Sequence, residues 1–334
     1  MPKNRAFLYK LAPALAVFLL AAVVLWDLLP RPAARYTTTS FAMGSALNLT
    51  LYGGGEEEAN VIIADVQALE EAISPNIATS YTAQINQNGA AETSEDYRKW
   101  VENAVDISRR TGGTFDITLG ALSALWDIGG ENQRVPAQKE IEAALSDTGS
   151  EHIEIRENQI AIPAGMRLDF GAIGKGMACD AAYAALTGTD VRGAVIASGG
   201  SVLLYGENPD GEGWTVGIQH PERENGELIA TLSLDAGFVS TSGNYQKYFI
   251  QDGRRYCHIL NPETGYPAEN GLTSVTVVAR TGAESDALAT ACFVLGYEKS
   301  LSVLADFHAE AVFITEEGEI IPTEGLRDKL TIQE

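Results

Sequence analysis

Two oxygen-bearing side chains, Asp286 and Thr290, stand four residues apart in the run Ser285–Gly296, SDALATACFVLG. The run reads as a helix, and residues four apart on a helix share a face. A carboxylate and a hydroxyl on one face form a hard oxygen pair of the kind Mg²⁺ takes, its other positions going to waters and substrate phosphates. The same residues also suit a plainer role, an acid near a helix N-terminus and a packed threonine, and the residues alone favour that role. A second stretch with chemical content is Leu168–Asp180, LDFGAIGKGMACD. Its Gly174-Lys175 pair suggests a phosphate loop, but that motif needs a Gly five residues earlier and a Ser or Thr afterwards. Those positions hold Asp169 and Gly176. The dinucleotide fingerprint fails too, because Gly171, Gly174 and Gly176 run in the reverse spacing. What survives is the physics: glycines permit close backbone approach, GMACDAAYAAL reads as a helix, and a helix N-terminus bearing a lysine suits an anion.

A third stretch, His258–Pro267, HILNPETGYP, holds the one histidine that falls in a motif; His152, His220 and His308 do not. Pro262, Gly265 and Pro267 fix a turn there. A single histidine at a strand end is more often structural than catalytic, so type and position alone assign it no chemistry.

The elements that must position these groups are legible from periodicity. SALNLTLYG alternates Leu47, Leu49 and Leu51 on one face of a strand, and EEEANVIIADVQALEEAI carries helical spacing behind an acidic first turn. A loop is expected over SPNIATSYTAQINQNGAAE. The next helix, SEDYRKWVENAVDISRRTGG, has Ser94 as N-cap, acids at its start, Arg109 and Arg110 at its end and two stopping glycines. A hairpin is expected from Glu151 to Pro163, successive strands from Val195 to Val278, a helix pair AESDALATACFVLG and YEKSLSVLADF, and a closing hairpin around TEEGE. Neither a repeat nor a long linker interrupts this order, which gives one compact α+β body.

The chain has 334 residues and a formal net charge of −22, with 45% hydrophobic residues, enough for a large core. Residues 1–35 hold five basic residues and one acid, so the remainder carries −26, which excludes nucleic acid and anionic lipid as electrostatic partners. Residues 11–29, LAPALAVFLLAAVVLWDLL, follow Lys3, Arg5 and Lys10 and read as a membrane anchor or signal segment, the uncleaved anchor being favoured by length and a weak cleavage site. The expected division is a cytoplasmic tail 1–10, the anchor 11–29, a connector 30–40 and a catalytic domain 41–334 outside the membrane. Cys179, Cys257 and Cys292 are odd in number and read as buried small hydrophobes.

Six motifs in order, MGS at Met43, GGTFDITLGAL at Gly112, LDFGAIGKGMACD at Leu168, ASGGS at Ala197, STSGNYQKYF to HILNPETGYP from Ser240, and SDALATACFVLG at Ser285, closely resemble the FAD:protein FMN transferase family, the ApbE-like flavin transferases. The resemblance spans nearly the whole exported body. It implies a two-lobed α+β body of mixed, largely antiparallel sheet with flanking helices and FAD in the cleft. It implies Mg²⁺ on Asp286, Thr290 and the Ala172 carbonyl, and FAD against Met43, Asn76, Thr114, Phe115, Asp116, Asp169, Lys175 and Leu260. It makes His258 the catalytic-site histidine, with His258 or Asp286 taking a proton, and Ser242 and Tyr245 pocket walls. The implied reaction is Mg²⁺-dependent transfer of FMN from FAD to a Ser or Thr hydroxyl of an extracytoplasmic redox subunit, with release of AMP. FAD hydrolysis to FMN and AMP, or non-catalytic FAD binding, are the alternatives. The chain departs from the family in the loop ISPNIATSYTAQIN, where Asn76 replaces an aromatic and Tyr81 an acid; the flavin-stacking ring then comes from Tyr81 or is absent.

Overall fold

The computed structural model describes residues 34–333 except 210, 212, 224 and 225. The chain begins with a hairpin, β1 (Arg35–Ala42) and β2 (Ser45–Tyr52), followed by α1 (Glu56–Ile73), α2 (Tyr81–Asn88), β3 (Ala90–Glu92) and α3 (Glu95–Arg110). Two short helices, α4 (Gly120–Trp126) and α5 (Gln138–Ser146), precede a hairpin of β4 (Glu154–Arg156) and β5 (Gln159–Ala161). Then come α6 (Gly174–Leu186), β6 (Gly193–Ser198), β7 (Ser201–Gly206), β8 (Trp214–Gln219), β9 (Leu228–Leu234), β10 (Gly237–Gly243), β11 (Tyr248–Gln251), β12 (Arg254–Cys257) and β13 (Leu272–Ala279). The chain closes with α7 (Gly282–Leu295), α8 (Tyr297–Phe307), β14 (Glu310–Thr315), β15 (Ile320–Pro322) and β16 (Leu330–Ile332).

Eight strands form the central sheet in the order β1-β2-β6-β7-β10-β13-β14-β15, every neighbouring pair antiparallel. Its inner strands are apolar on both faces because both faces are covered. Leu203, Val275, Val277 and Phe313 join the main core with the helices, whereas the alternate residues Leu204, Val239, Val312 and Ile314 pack against the small sheet β16-β9-β8. Helix α7 lies between α6 and strands β10 and β13, and its residues are buried almost all round, as the absence of a polar stripe requires. Helices α1 and α3 form where caps, terminal charges and apolar spacing agree. Ala59, Ile62, Val66, Leu69 and Ile73 are the buried stripe of α1, and the Ser94 hydroxyl accepts from the Tyr97 N–H at 3.2 Å to start α3. The hairpin near Glu151 and the last helix pair also stand where the pattern places them.

Two expectations need correction. The segment 74–92 is not all loop. Ser80 caps α2 through a 2.9 Å bond from the Ala83 N–H, and β3 then pairs with β5. Helices α4 and α5, which the periodicity leaves unassigned, build a third apolar core with Phe249 and Leu260. Arg35–Glu334 forms one compact unit, as the single α+β body expected from the sequence requires. The three cysteines are free and buried. No helix among the described residues is long and apolar enough to cross a membrane, and the run 11–29 lies outside them.

Candidate active site

A cleft of about 740 Å³ opens where the turns of several elements meet above the helix side of the sheet. One wall is the two-residue turn between β1 and β2, Met43 and Gly44, both at positive φ (55° and 64°), the shape that closes a tight hairpin. A second is the turn Asp169–Gly174, held from behind by Asn86: its amide donates to the Leu168 carbonyl at 2.8 Å and its oxygen accepts the Leu168 N–H at 2.6 Å. The Asp169 carboxylate accepts the Gly171 N–H at 2.8 Å and so shapes this turn while lining the cleft. Lys175 follows in the first turn of α6, half-buried, without an ion-pair partner among the described residues. Its stem lies over Gly199 in the turn between β6 and β7, where an added Cβ would come within 3.0 Å of Lys175 Cδ.

The floor is α7. Asp286 is 4% exposed, and its Oδ2 accepts the Gly176 N–H at 2.9 Å. The bond is possible because α6 and α7 cross at glycines: a Cβ on Gly176 would lie 2.0 Å from the Gly282 carbonyl oxygen, and one on Gly282 equally close to Gly176 O. From the next turn of α6 the Asp180 carboxylate accepts the Gly282 and Ala283 N–H groups at 2.6 and 2.8 Å, capping α7 across the interface. Burial, against those two bonds and with Glu284 nearby, pushes the Asp180 pKa up to about 6. Thr290 shares the face of Asp286 and meets the Ser242 hydroxyl at 3.2 Å. Below them Ser240 bonds both Ser201 and Ser285, at 3.0 and 2.8 Å, tying α7 to the sheet.

His258 stands just after β12. Its backbone N–H donates to the Lys247 carbonyl at 3.1 Å, and its Nδ1 lies 3.2 Å from the same oxygen. A carbonyl only accepts, so this contact assigns the ring proton to Nδ1 and leaves Nε2 as the lone pair. Burial first, then the Lys175 charge, hold the imidazole down at about 4, so it is neutral at pH 7; the Lys247 carbonyl opposes that shift, and the Lys247 charge adds to it. The loop that follows is fixed by α4 and α5: the Trp126 indole donates to Gly265 O at 2.9 Å, and the Tyr266 hydroxyl to Gln138 at 2.8 Å.

The structure brings to this one cleft Met43, Asn76, Thr114, Phe115, Asp116, Asp169, Ala172, Lys175, His258, Leu260, Asp286 and Thr290, with Ser242 beside them. Two of them serve the fold as well. Phe115 is 1% exposed in the main core, and the Asp116 carboxylate is already engaged by Thr118 and by the Ser150 N–H. Tyr245 is not among the lining residues, and Tyr81 packs on Tyr97 with ring centroids 5.1 Å apart, so Tyr81 supplies no ring to the cleft. Gly176, Asp180 and Lys247 also build the site, through hydrogen bonds to or from backbone groups of distant segments that no local pattern announces. No cluster of three His, Cys, Asp or Glu exists among the described residues. Asp286, Thr290 and Ala172, the set that the resemblance implies for a cation, all line the cleft, and two side-chain oxygens with a carbonyl would suit Mg²⁺ shared with substrate phosphates.

Comparison with known proteins points one way. Residues 43–313 match the model of the ApbE family. The chain is 32% identical to an FAD:protein FMN transferase of Klebsiella pneumoniae, covering 86% of this chain and 91% of that protein. It is 33% identical to another of that name from Treponema pallidum, covering 89% of each. The fold superimposes on the crystal structure of the ApbE protein of Thermotoga maritima with a TM-score of 0.80 at 32% identity, covering 87% of this chain and 98% of that one. With the apo flavinyl transferase ApbE of Pseudomonas stutzeri the TM-score is 0.79 at 29% identity, over 89% and 97% of the chains.

Proposed function

Because the chain belongs to the ApbE family and is by that membership an FAD:protein FMN transferase, we propose that it transfers FMN from FAD to a Ser or Thr hydroxyl of a target protein in a Mg²⁺-dependent reaction that releases AMP. In this reaction the hydroxyl oxygen bonds to the phosphorus next to the ribityl chain, and the bond from that phosphorus to the bridging pyrophosphate oxygen breaks. AMP carries away the bond electrons, and FMN remains on the target as a phosphoester. Asp286, the Thr290 hydroxyl and the Ala172 carbonyl would hold Mg²⁺, which would supply charge neutralisation at the pyrophosphate. Lys175, without a carboxylate partner in the cleft, adds a second positive charge for the phosphates. His258 takes the hydroxyl proton on Nε2. It suits this better than Asp286, since its imidazole is neutral and oriented through Nδ1, whereas the Asp286 carboxylate accepts the Gly176 N–H and would also hold the cation. The observation that carries the reading is the convergence of the motif residues on one cleft.

The same reading keeps residues 11–29 as an uncleaved anchor with the body outside the membrane, supported by the basic residues before an almost uncharged apolar run. The acceptor is then an extracytoplasmic redox subunit in the same membrane. Mass spectrometry of flavin-bearing proteins in cells with and without the chain tests the function: an FMN phosphoester on a Ser or Thr that disappears with the chain is the expected result. FMN and AMP formed by the purified full chain with no modified protein in the cells would make it a hydrolase, and FAD bound without turnover a carrier.

A further inference from the structure

The hairpin β11–β12 leads directly into His258, and only one of its faces is used by the fold. Opposed residues of an antiparallel pair share a face. Phe249 and Tyr256, opposed and stacked with centroids 5.2 Å apart, turn to the core that holds Trp126 and Leu260. The alternate pairs, Tyr248 with Cys257 and Ile250 with Arg255, make the other face. Cys257 at its inner end is buried, but Ile250 is 63% and Tyr248 40% exposed, and the Arg255 guanidinium sits 4.5 Å from the centre of the Tyr248 ring. An isoleucine this bare, beside a tyrosine capped by a cation, adds little to folding.

Charge sets the patch apart. Arg254 is taken by Glu269 through two bonds of 3.0 and 2.8 Å, and Asp252 is the one acid within the hairpin. Neither Arg255 nor Lys247 has a carboxylate partner among the described residues; the Arg255 guanidinium reaches only Asn244, at 3.5 Å. Lys247 also lines the cleft, and its carbonyl holds His258, so the patch is continuous with the proposed site of transfer. Glu222, Glu269 and Glu316 line the groove that Arg254 and Arg255 also border, so negative charge bounds the patch on that side, on a body whose residues after 35 sum to −26.

We propose that this face is where the acceptor protein docks, and that it takes an acceptor segment of net negative charge with an apolar side chain near the hydroxyl that receives FMN. The proposal rests on the transferase reading above. Arg255 and Lys247 match carboxylates, while Ile250 and the Tyr248 ring match the apolar side chain; aromatic and arginine anchors of this kind dominate protein interfaces. The net negative charge of the rest of the body repels such a segment, while Arg255 and Lys247 attract it beside the cleft.

The test replaces the chain in its own cells by full-length Ile250→Asp, Arg255→Glu and the double variant, reading flavin-bearing proteins by in-gel fluorescence and mass spectrometry. Wild-type cells contain the flavin-bearing acceptor if the transferase reading holds; its absence there removes that reading and this proposal together. The docking proposal expects the double variant to lower the initial rate of acceptor flavinylation by about tenfold or more, while the purified full-length variant binds FAD as tightly as wild type by flavin fluorescence. The flavin-bearing tryptic segment should be acidic and carry an apolar residue near the modified hydroxyl. Wild-type flavinylation by the double variant, a basic acceptor segment, or a wild-type dimer that Ile250→Asp splits without loss of flavinylation would each overturn it.

Discussion

Replacing Gly176 by alanine probes how the site is held together. The new Cβ would stand 2.0 Å from the Gly282 carbonyl oxygen and 2.7 Å from Asp286 Cβ, and neither neighbour is the free end of a flexible chain. Ordinary contacts between such atoms lie near 3.5 Å, so the first turns of α6 and α7 must part by roughly 1 Å or more. Overpacking of this kind costs about 1–3 kcal/mol, and alanine recovers about 0.5–1 kcal/mol over glycine inside a helix. The net loss of stability is then at most about 2.5 kcal/mol, a fall in melting temperature of up to roughly 4 °C for a body of about 300 residues. The functional loss should be larger. The shift pulls Asp286 away from the Gly176 N–H that orients it, and misplacement by about 1 Å is enough to reduce turnover by roughly a hundredfold. Thermal unfolding of the full-length variant, AMP release from FAD with acceptor present, and a Mg²⁺ titration separate the two effects. A double-mutant cycle with Asp286→Asn should be strongly non-additive, because both changes act on one positioned carboxylate. Turnover within about threefold of wild type, or additive effects of the two changes, would refute this account of the glycine contact.

Other expectations follow from the same geometry. His258→Ala should keep FAD affinity within a few fold and lose about a hundredfold to ten-thousandfold of transfer; equal losses of affinity, stability and rate would make the residue a brace for its loop. Since His258 titrates at about 4 in the free protein, it is a neutral base above that pH, and the acid limb of kcat/KM should fall near pH 4 and not near 6.5. An acid limb near 6.5 would assign the base elsewhere. Asp286→Asn keeps an oxygen for the Gly176 N–H while removing the charge, so it should retain the melting temperature and abolish Mg²⁺-dependent transfer; an unchanged Mg²⁺ response would displace the metal from this site. Asp180 holds its proton up to about pH 6, where the unfolded chain releases it near 3.9, so its contribution to stability is present below the unfolded pKa and declines as pH rises from about 4 to 6. Asp180→Asn should flatten that part of the pH–stability curve, as unfolding in urea at several pH values would show.

What the sequence could reveal divides along the range of the interactions. Helices α1 and α3 were legible because their caps, terminal charges and apolar stripes are all local, and each signal repeats the others. Helix α2 carried comparable punctuation, Ser80 before it and Gly89 at φ 77° after it, but it buries only Thr82 and Ile85, so no apolar stripe drew attention to it. Helix α4 had no side-chain cap to announce it. Its first amide bonds to the Arg167 carbonyl, and Trp126 at its end is fixed by a carbonyl 139 residues away. The cleft shows the same division more sharply. Motif order, carried by resemblance, named the residues that meet there, but nothing in either motif says that Gly176 and Asp286, 110 residues apart, share a hydrogen bond. That bond needs two glycines on two helices with no side chain between them, and a carboxylate from the first helix capping the second. A glycine pattern that fails as a phosphate loop is therefore still informative, because here the glycines serve the packing of one helix on another, and that packing puts Asp286 and Lys175 on the wall of one cleft.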